Sequence, residues 1–289
     1  MTSLENLGLA LLDGLVTGSV MALVALGLTI VFGIMNIANL THGELYMLGA
    51  MTSWLLFQAA LPFASALLLA PLLTAAVAVA INVLILQRFG HEPGQTILAT
   101  FGLLLILQQT ALGILGPAPR SVPAPLNPIL EFSGFSYSGF NLLAGLACLL
   151  LALLVWVLVE RSRLGLLLRA AQENRLMAES LAIDTGRVIL IGFALSGGLA
   201  GLAGALTSPI RQIHFLMGLD ALVVSFVVVV LGGVGRIGGT IAAGLALGLL
   251  ESLTALLLAP TLARVLTLAL ALSYIIARRL GVARGVWRY

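Results

Sequence analysis

Charge is what this sequence has least of. Only 9% of its 289 residues are Asp, Glu, Lys or Arg, against about 25% in an ordinary soluble domain. So few charges cannot build a water-facing surface around a chain this long, which excludes the soluble enzyme classes. Lysine is missing altogether, so all 14 basic residues are arginine and a phosphate-binding loop ending in Gly-Lys-Ser/Thr is impossible. The single cysteine, Cys148, excludes a disulfide framework and a cysteine-rich metal site; in its apolar run it reads as a small hydrophobe. His91 and His214 are isolated, and His42-Gly43-Glu44 has no further His or Cys nearby, so no metal site is expected. No basic residue precedes Arg88. The amino-terminal end therefore lacks the positive region of a cleaved signal, and its first apolar stretch is expected to remain as a span.

What the sequence does have is hydrophobic residues, 61% of the chain. Apolar windows of about 19 residues place spans near Leu9–Phe32, Leu45–Leu61, Phe63–Leu86, Ile97–Leu115, Asn141–Val159, Val188–Ser208, Ala221–Leu231, Gly239–Leu258 and Leu262–Ala277. Pro62 and Pro260 mark two turns. The seventh segment is short enough to be re-entrant and the division at Pro62 is weak, so eight spans stand beside nine. The expected fold is an all-α polytopic membrane protein of eight to nine helices, with a re-entrant or broken helix, forming one transmembrane domain over residues 1–289. With the amino terminus outside, Arg88, Arg161, Arg163, Arg169, Arg175, Arg187, Arg236, Arg278, Arg279, Arg284 and Arg288 fall inside, leaving Arg120, Arg211 and Arg264 outside. That bias fits the positive-inside rule and puts the carboxyl terminus in the cytoplasm. Gly116–Phe140, with five prolines, becomes an outer loop of extended character.

Nine of the 25 charged residues gather in Glu160–Arg187. Within it, Leu166–Ile183 has no Gly or Pro, a strong helix composition. Ala170, Met177, Ala178 and Leu181 fall on one helical face. Arg169/Glu173 and Arg175/Glu179 are i, i+4 pairs in the weaker order. The segment reads as a cytoplasmic amphipathic helix, either lying on lipid headgroups or docking into a cytoplasmic partner; its narrow, Ala-containing face suits a protein groove better.

Gly232-Gly233-Val234-Gly235-Arg236-Ile237-Gly238-Gly239 literally contains G-x-G-x-x-G after a strand-like Val223–Leu231. No alternating βαβ pattern surrounds it and no acidic residue follows in a soluble context, so a dinucleotide site is rejected. Gly232, Gly233, Gly235, Gly238 and Gly239 instead read as a cytoplasmic-side bend or hinge. Gly244/Gly248 and Gly197/Gly201 read as close-packing positions between helices.

Ionisable groups within spans are functional candidates by default. Asp13 lies near a span end and can reach water. Glu251, about a dozen residues into its span, should face a cavity or a partner; it is either a hydrogen-bonded structural carboxylate or part of a path. Asn36, Asn39, Thr41, His42 and Glu44 crowd between two apolar runs. They form a polar turn capping the next helix, line a solute path where helix ends meet, or relay protons through His42 and Glu44.

Three stretches carry a resemblance: LGLTIVFGIMNIANLTHGELYMLGA (Leu26–Ala50), RSRLGLLLRAAQENRLMAESLAID (Arg161–Asp184) and VLGGVGRIGGTIAAGLALGLLES (Val230–Ser252). In order and together they resemble the LivH-type permeases of bacterial branched-chain amino acid ABC importers, over essentially the whole chain. The chain departs from that pattern at Ala182, where glycine is usual and a less sharp helix end is expected, and at Arg236. The resemblance implies an inner-membrane permease subunit, not an enzyme. It would bind no cofactor of its own, ATP and Mg being held by partner ATPases, and would carry branched-chain or other small amino acids. Its partners would be a second related permease, two ATP-binding subunits, a periplasmic solute-binding protein and membrane lipid, with no nucleic acid. The residues implied for coupling to the ATPases are Arg169, Ala170, Glu173, Asn174, Met177, Ala178 and Leu181. A urea or short-amide permease of the same superfamily is the alternative substrate class. A self-sufficient ion-coupled transporter or a passive channel is the alternative mechanism.

Overall fold

A computed structural model describes residues 3–89, 93–126, 128–132 and 135–283. His91, Arg284 and Arg288 lie outside them. Eleven α-helices run α1 Ser3–Leu28, α2 His42–Gln58, α3 Phe63–Leu84, α4 Pro93–Leu115, α5 Gly139–Arg161, α6 Arg163–Glu173, α7 Arg175–Ser180, α8 Thr185–Thr207, α9 Met217–Gly232, α10 Ile237–Ala255 and α11 Pro260–Ala283 among the described residues. A π-helical turn, Thr29–Ile34, prolongs α1. Seven helices are long and apolar enough to cross a membrane: α1 with its extension, α3, α4, α5, α8, α10 and α11. The second and seventh segments of the sequence reading, α2 and α9, are shorter, at 17 and 16 residues. The β-branched run that looked strand-like is the body of α9.

α1 is the axis of the bundle, packed by α5, α8, α9 and α10. Its partnership with α10 rests on small residues. A side chain at Gly248 would strike the backbone of Gly18, and one at Gly244 the backbone of Ala22, so the two helices touch main chain to main chain. Gly197 and Gly201 let α8 close on α3 likewise, Gly197 against Ala78 Cβ and Thr74 O and Gly201 against the Thr74 side chain. Both pairs of small residues pack as their spacing foretold. The outer faces of α3, α4 and α5 remain apolar, with Leu68, Leu98 and Leu154 well exposed. Such faces suit hydrocarbon, which asks no hydrogen bond of its neighbours.

Two expectations need correction, and one becomes more definite. The extended Gly116–Phe140 loop holds an antiparallel hairpin, Ile129–Phe132 paired with Phe135–Ser138. No proline falls between 129 and 138, so both strands keep the amide donors a ladder needs. At this end Tyr137 donates to Asp13 Oδ1 at 2.7 Å; burial, and then Asp13 beside it, push the Tyr137 phenol well above its usual range.

The single helix Leu166–Ile183 is two, because Asn174 takes an extended conformation (φ −154°, ψ 95°) and its side chain accepts the Met177 amide at 2.9 Å. Asn is a strong N-cap and a poor helix interior. The predicted face is divided accordingly, with Ala178 buried but Met177 and Leu181 exposed. Rather than leaving Glu179 only a neighbouring arginine, the fold gives it the Thr185 hydroxyl at 2.7 Å.

The end of α7, expected to be blunt, is sharp. Ala182 sits in the left-handed region at φ 59°, with Ile183 N–H donating to Ala178 O and Ala182 N–H to Glu179 O, the Schellman pattern. An L-side chain there costs roughly 1–2 kcal/mol. Ala182→Gly should therefore stabilise the 175–185 region by about 0.5–1 kcal/mol after glycine's entropic loss, read as slower amide exchange at Ile183.

Candidate functional site

The polar stretch 36–44 is where the fold departs most from straight helices. After the π-helical turn, Met35 N–H donates to Ile30 O and Ile37 N–H to Val31 O. Asn36, at φ 52° and exposed, then turns the chain back. Asn39, Thr41, His42 and Glu44 are all buried. Asn39 Oδ1 accepts the Thr41 amide and hydroxyl, so these side chains stabilise their own turn and give α2 no side-chain cap. Thr100 of α4 accepts the Leu40 amide at 3.2 Å.

His42, the first residue of α2, is fixed between two other helices. Its Nε2 lies 2.9 Å from Val24 O, and its Nδ1 lies 3.3 Å from Ser196 Oγ, which donates to Gly27 O. Ser196 is midway along α8, so α2 begins inside the bundle. α9 begins there too: a side chain on Gly43 would meet Gly218 O, and one on Gly218 would meet the Glu44 carboxylate. The amino-terminal ends of α2 and α9 thus meet, with Glu44 over the first turn of α9, where helix dipoles favour negative charge. Gln108 of α4 donates to Glu44 Oε1 at 3.2 Å. Sequence reasoning missed Gln108, whose only signal was an amide within an apolar helix.

Beside this junction lies a cavity of about 470 Å³. Its apolar part comes from α1 (Val20, Met21, Val24) and α9 (Met217, Val224). Its polar part comes from Arg211, His214, Asp220, Glu251 and Arg264. Glu251 lies four residues before the end of α10, nearer a helix end than its place in the sequence suggested. It pairs with Arg264 Nε at 3.3 Å, and the two side chains are 18% and 34% exposed. Arg211, Asp220 and Arg264 were not sequence candidates. Arg211 and Arg264 share this cavity with Asp220, and Arg120 bridges to nearby Ile213, so the three arginines assigned to one face of the membrane gather at one end of the bundle. Of the predicted path residues only Glu251 lines the cavity; Asn36, Asn39, Thr41, His42 and Glu44 do not, whereas Tyr46, one turn beyond His42, does.

At the opposite end, α9 turns into α10 through Gly233 (φ 94°) and Gly235 (φ 80°). Gly235 lies against Gly33, and Gly232 against Gly239. The glycine octet thus covers the end of α9, a tight turn at 233–236 and the start of α10, and Gly238 faces Trp156. Of the coupling-segment residues, Arg169, Glu173 and Asn174 are exposed and Ala170 is half-buried. α6 packs on α5, α8 and the π-helical turn, its Leu168 meeting Met35 at Gly192 of α8. No group of three or more metal-ligating side chains occurs among the described residues.

Residues 10–275 match the family model described as branched-chain amino acid transport system / permease component. The chain belongs to this family. It is 29% identical over 253 residues to the high-affinity branched-chain amino acid transport system permease protein LivH of Salmonella typhimurium, covering 81% of each. It is 28% identical over 258 residues to BraD of Pseudomonas aeruginosa, covering 81% of this chain and 82% of that protein. With the probable LivH of Methanocaldococcus jannaschii it shares 26% identity over 257 residues, 83% of this chain and 79% of the relative. No solved structure matches it significantly. The permease is therefore a membrane transport subunit and not an enzyme.

Proposed function

We propose that this permease is the inner-membrane subunit of an ABC importer that moves branched-chain or other small amino acids delivered by a periplasmic binding protein. A second, related permease completes the membrane unit, and two separate ATPase subunits supply the energy. The observation that carries this reading is the meeting of α2 and α9 inside the bundle, beside a cavity, in a chain whose relatives are named as branched-chain amino acid permeases. Residues 1–289 act as one permease domain. The arginine distribution sets its amino terminus in the periplasm and its carboxyl terminus in the cytoplasm. The chain then crosses nine times, with α2 and α9 each completed by non-helical chain, as broken helices are in transporters.

In this reading His42, Glu44 and Glu251 border the path, and Asn36, Asn39 and Thr41 shape the turn that delivers it. α6 and α7 are the docking element for an ATPase. The exposed Leu176 and Met177 on α7 and Leu181 at its C-cap support that role, since apolar side chains on a short cytoplasmic helix suit a protein groove. Motion of α6 passes through Leu168 to Met35 and α8, and so to the two elements that hold His42. The turn at Gly232, Gly233, Gly235, Gly238 and Gly239 is the pivot between α9 and α10.

Reconstitution with the partner permease, ATPases and binding protein tests the proposal. Leucine-, isoleucine- or valine-loaded binding protein should stimulate ATP hydrolysis several-fold. Stimulation by urea or short amides and not by amino acids would reassign the substrate. Uptake by this chain alone under a proton or sodium gradient would replace the ABC mechanism altogether.

A further inference from the structure

The charges in the 470 Å³ cavity are of two kinds. Glu251 and Arg264 neutralise one another on the α10–α11 wall at 3.3 Å. Arg211 and Asp220 line the same cavity, and neither side chain has a hydrogen-bond or ion-pair partner among the described residues. One cation and one anion therefore remain available on a lining whose formal charges, His214 apart, sum to zero. Against them lies an apolar strip of Val20, Met21, Val24 and Val224. The volume falls within the roughly 300–1,000 Å³ of small-molecule sites, which combine apolar walls with a few placed polar groups.

We infer that this cavity takes an α-amino acid as its zwitterion, with the carboxylate on Arg211, the ammonium on Asp220 and an aliphatic side chain along the strip. The inference rests on the amino-acid permease reading and adds to it the site and the residues. A solute with a carboxylate alone leaves Asp220 unmatched, and one with an ammonium alone leaves Arg211 unmatched. A neutral amide satisfies neither with a charge-assisted bond, the stronger kind. The Glu251–Arg264 pair has a different part: it holds the α10–α11 wall and keeps its own charges from competing for the solute's.

The test is equilibrium binding of labelled leucine to the solubilised complex of permease and ATPase subunits, without the binding protein. The competitors are 4-methylpentanoate, which lacks the ammonium, and 3-methylbutylamine, which lacks the carboxylate. Leucine should bind saturably, with each single-charge analogue at least tenfold weaker. Asp220→Asn should weaken leucine tenfold or more and leave 4-methylpentanoate unchanged. Arg211→Gln should weaken leucine similarly and leave 3-methylbutylamine unchanged. A collapsed cavity cannot produce that crossed pattern, because it would weaken all three ligands together. Equal competition by the analogues, wild-type leucine binding in both variants, or uniform loss in both would overturn the inference. So would an absence of direct leucine binding in a complex whose ATPase leucine-loaded binding protein does stimulate, and that result leaves the permease reading standing. Failure of every amino acid to stimulate the full complex strikes the permease reading itself.

Discussion

Gly43→Ala should cost the permease about 3 kcal/mol, the upper end of what overpacking exacts, and abolish amino-acid uptake. A Cβ at this position would run into Gly218 O and come within 2.8 Å of Leu222 Cβ. The nearest atom is a backbone carbonyl in the first turn of α9, so no side-chain rotation relieves the clash. α2 must withdraw from α9, and that displaces Glu44 from Gly218 and His42 from Val24 and Ser196 at once. Thermal unfolding of the purified subunit should show the loss as a midpoint several degrees lower. Gly102→Ala and Gly113→Ala on α4 are the controls, because a Cβ there meets nothing within 4 Å. Those two should leave the midpoint unchanged or raise it slightly, since alanine is the better helix former by about 0.5–1 kcal/mol. If Gly43→Ala behaves like them, the contact between α2 and α9 is not as close as described.

Glu44→Leu should be the second severe change, and Glu44→Gln should be mild by comparison. The Glu44 side chain is wholly buried, one oxygen taking the Gln108 amide and the other having no hydrogen-bond partner among the described residues. Leucine fills similar space but strands the Gln108 amide, and a buried donor without an acceptor costs about 1–3 kcal/mol. It also removes an acidic group from the start of α9, worth up to ~2 kcal/mol in partly buried geometry. Glutamine keeps an oxygen for Gln108 and sacrifices only the charge. Comparing the two variants for stability and for leucine-stimulated ATP hydrolysis separates the hydrogen bond from the charge. Equal loss in both would mean that the charge dominates. Full activity in Glu44→Leu would remove this residue from the working site.

The long apolar helices were legible because hydropathy is local: a run of some 20 apolar residues needs no knowledge of its neighbours. The turns at Pro62 and Pro260 and the glycine bend were legible for the same reason. Asn174 was visible as well, but helix composition summed over 166–183 outvoted one residue's capping preference. The cavity was hidden because its charges are far apart in sequence. Arg211 and Arg264 served as markers of orientation, and only packing sets them beside Glu251. Gln108 was equally silent: an amide inside an apolar helix announces a partner without naming it. Ala182 shows the reverse limit, since a left-handed residue without glycine leaves no local trace.

The partners of the 35–44 segment also dictate an order of assembly. The backbone of residues 35–41 is mostly non-helical, and lipid cannot hydrogen-bond it. The groups that shelter its end come from Thr100, Gln108, Ser196 and Gly218, the last two more than 150 residues further along the chain. While the ribosome is still synthesising those residues, α2 can pack on α3 and α4 but lacks the contacts that its first turn makes with α8 and α9. The start of α2 is therefore closed over only after α8 and α9 have been made, so the site's assembly is among the last steps of the chain's folding.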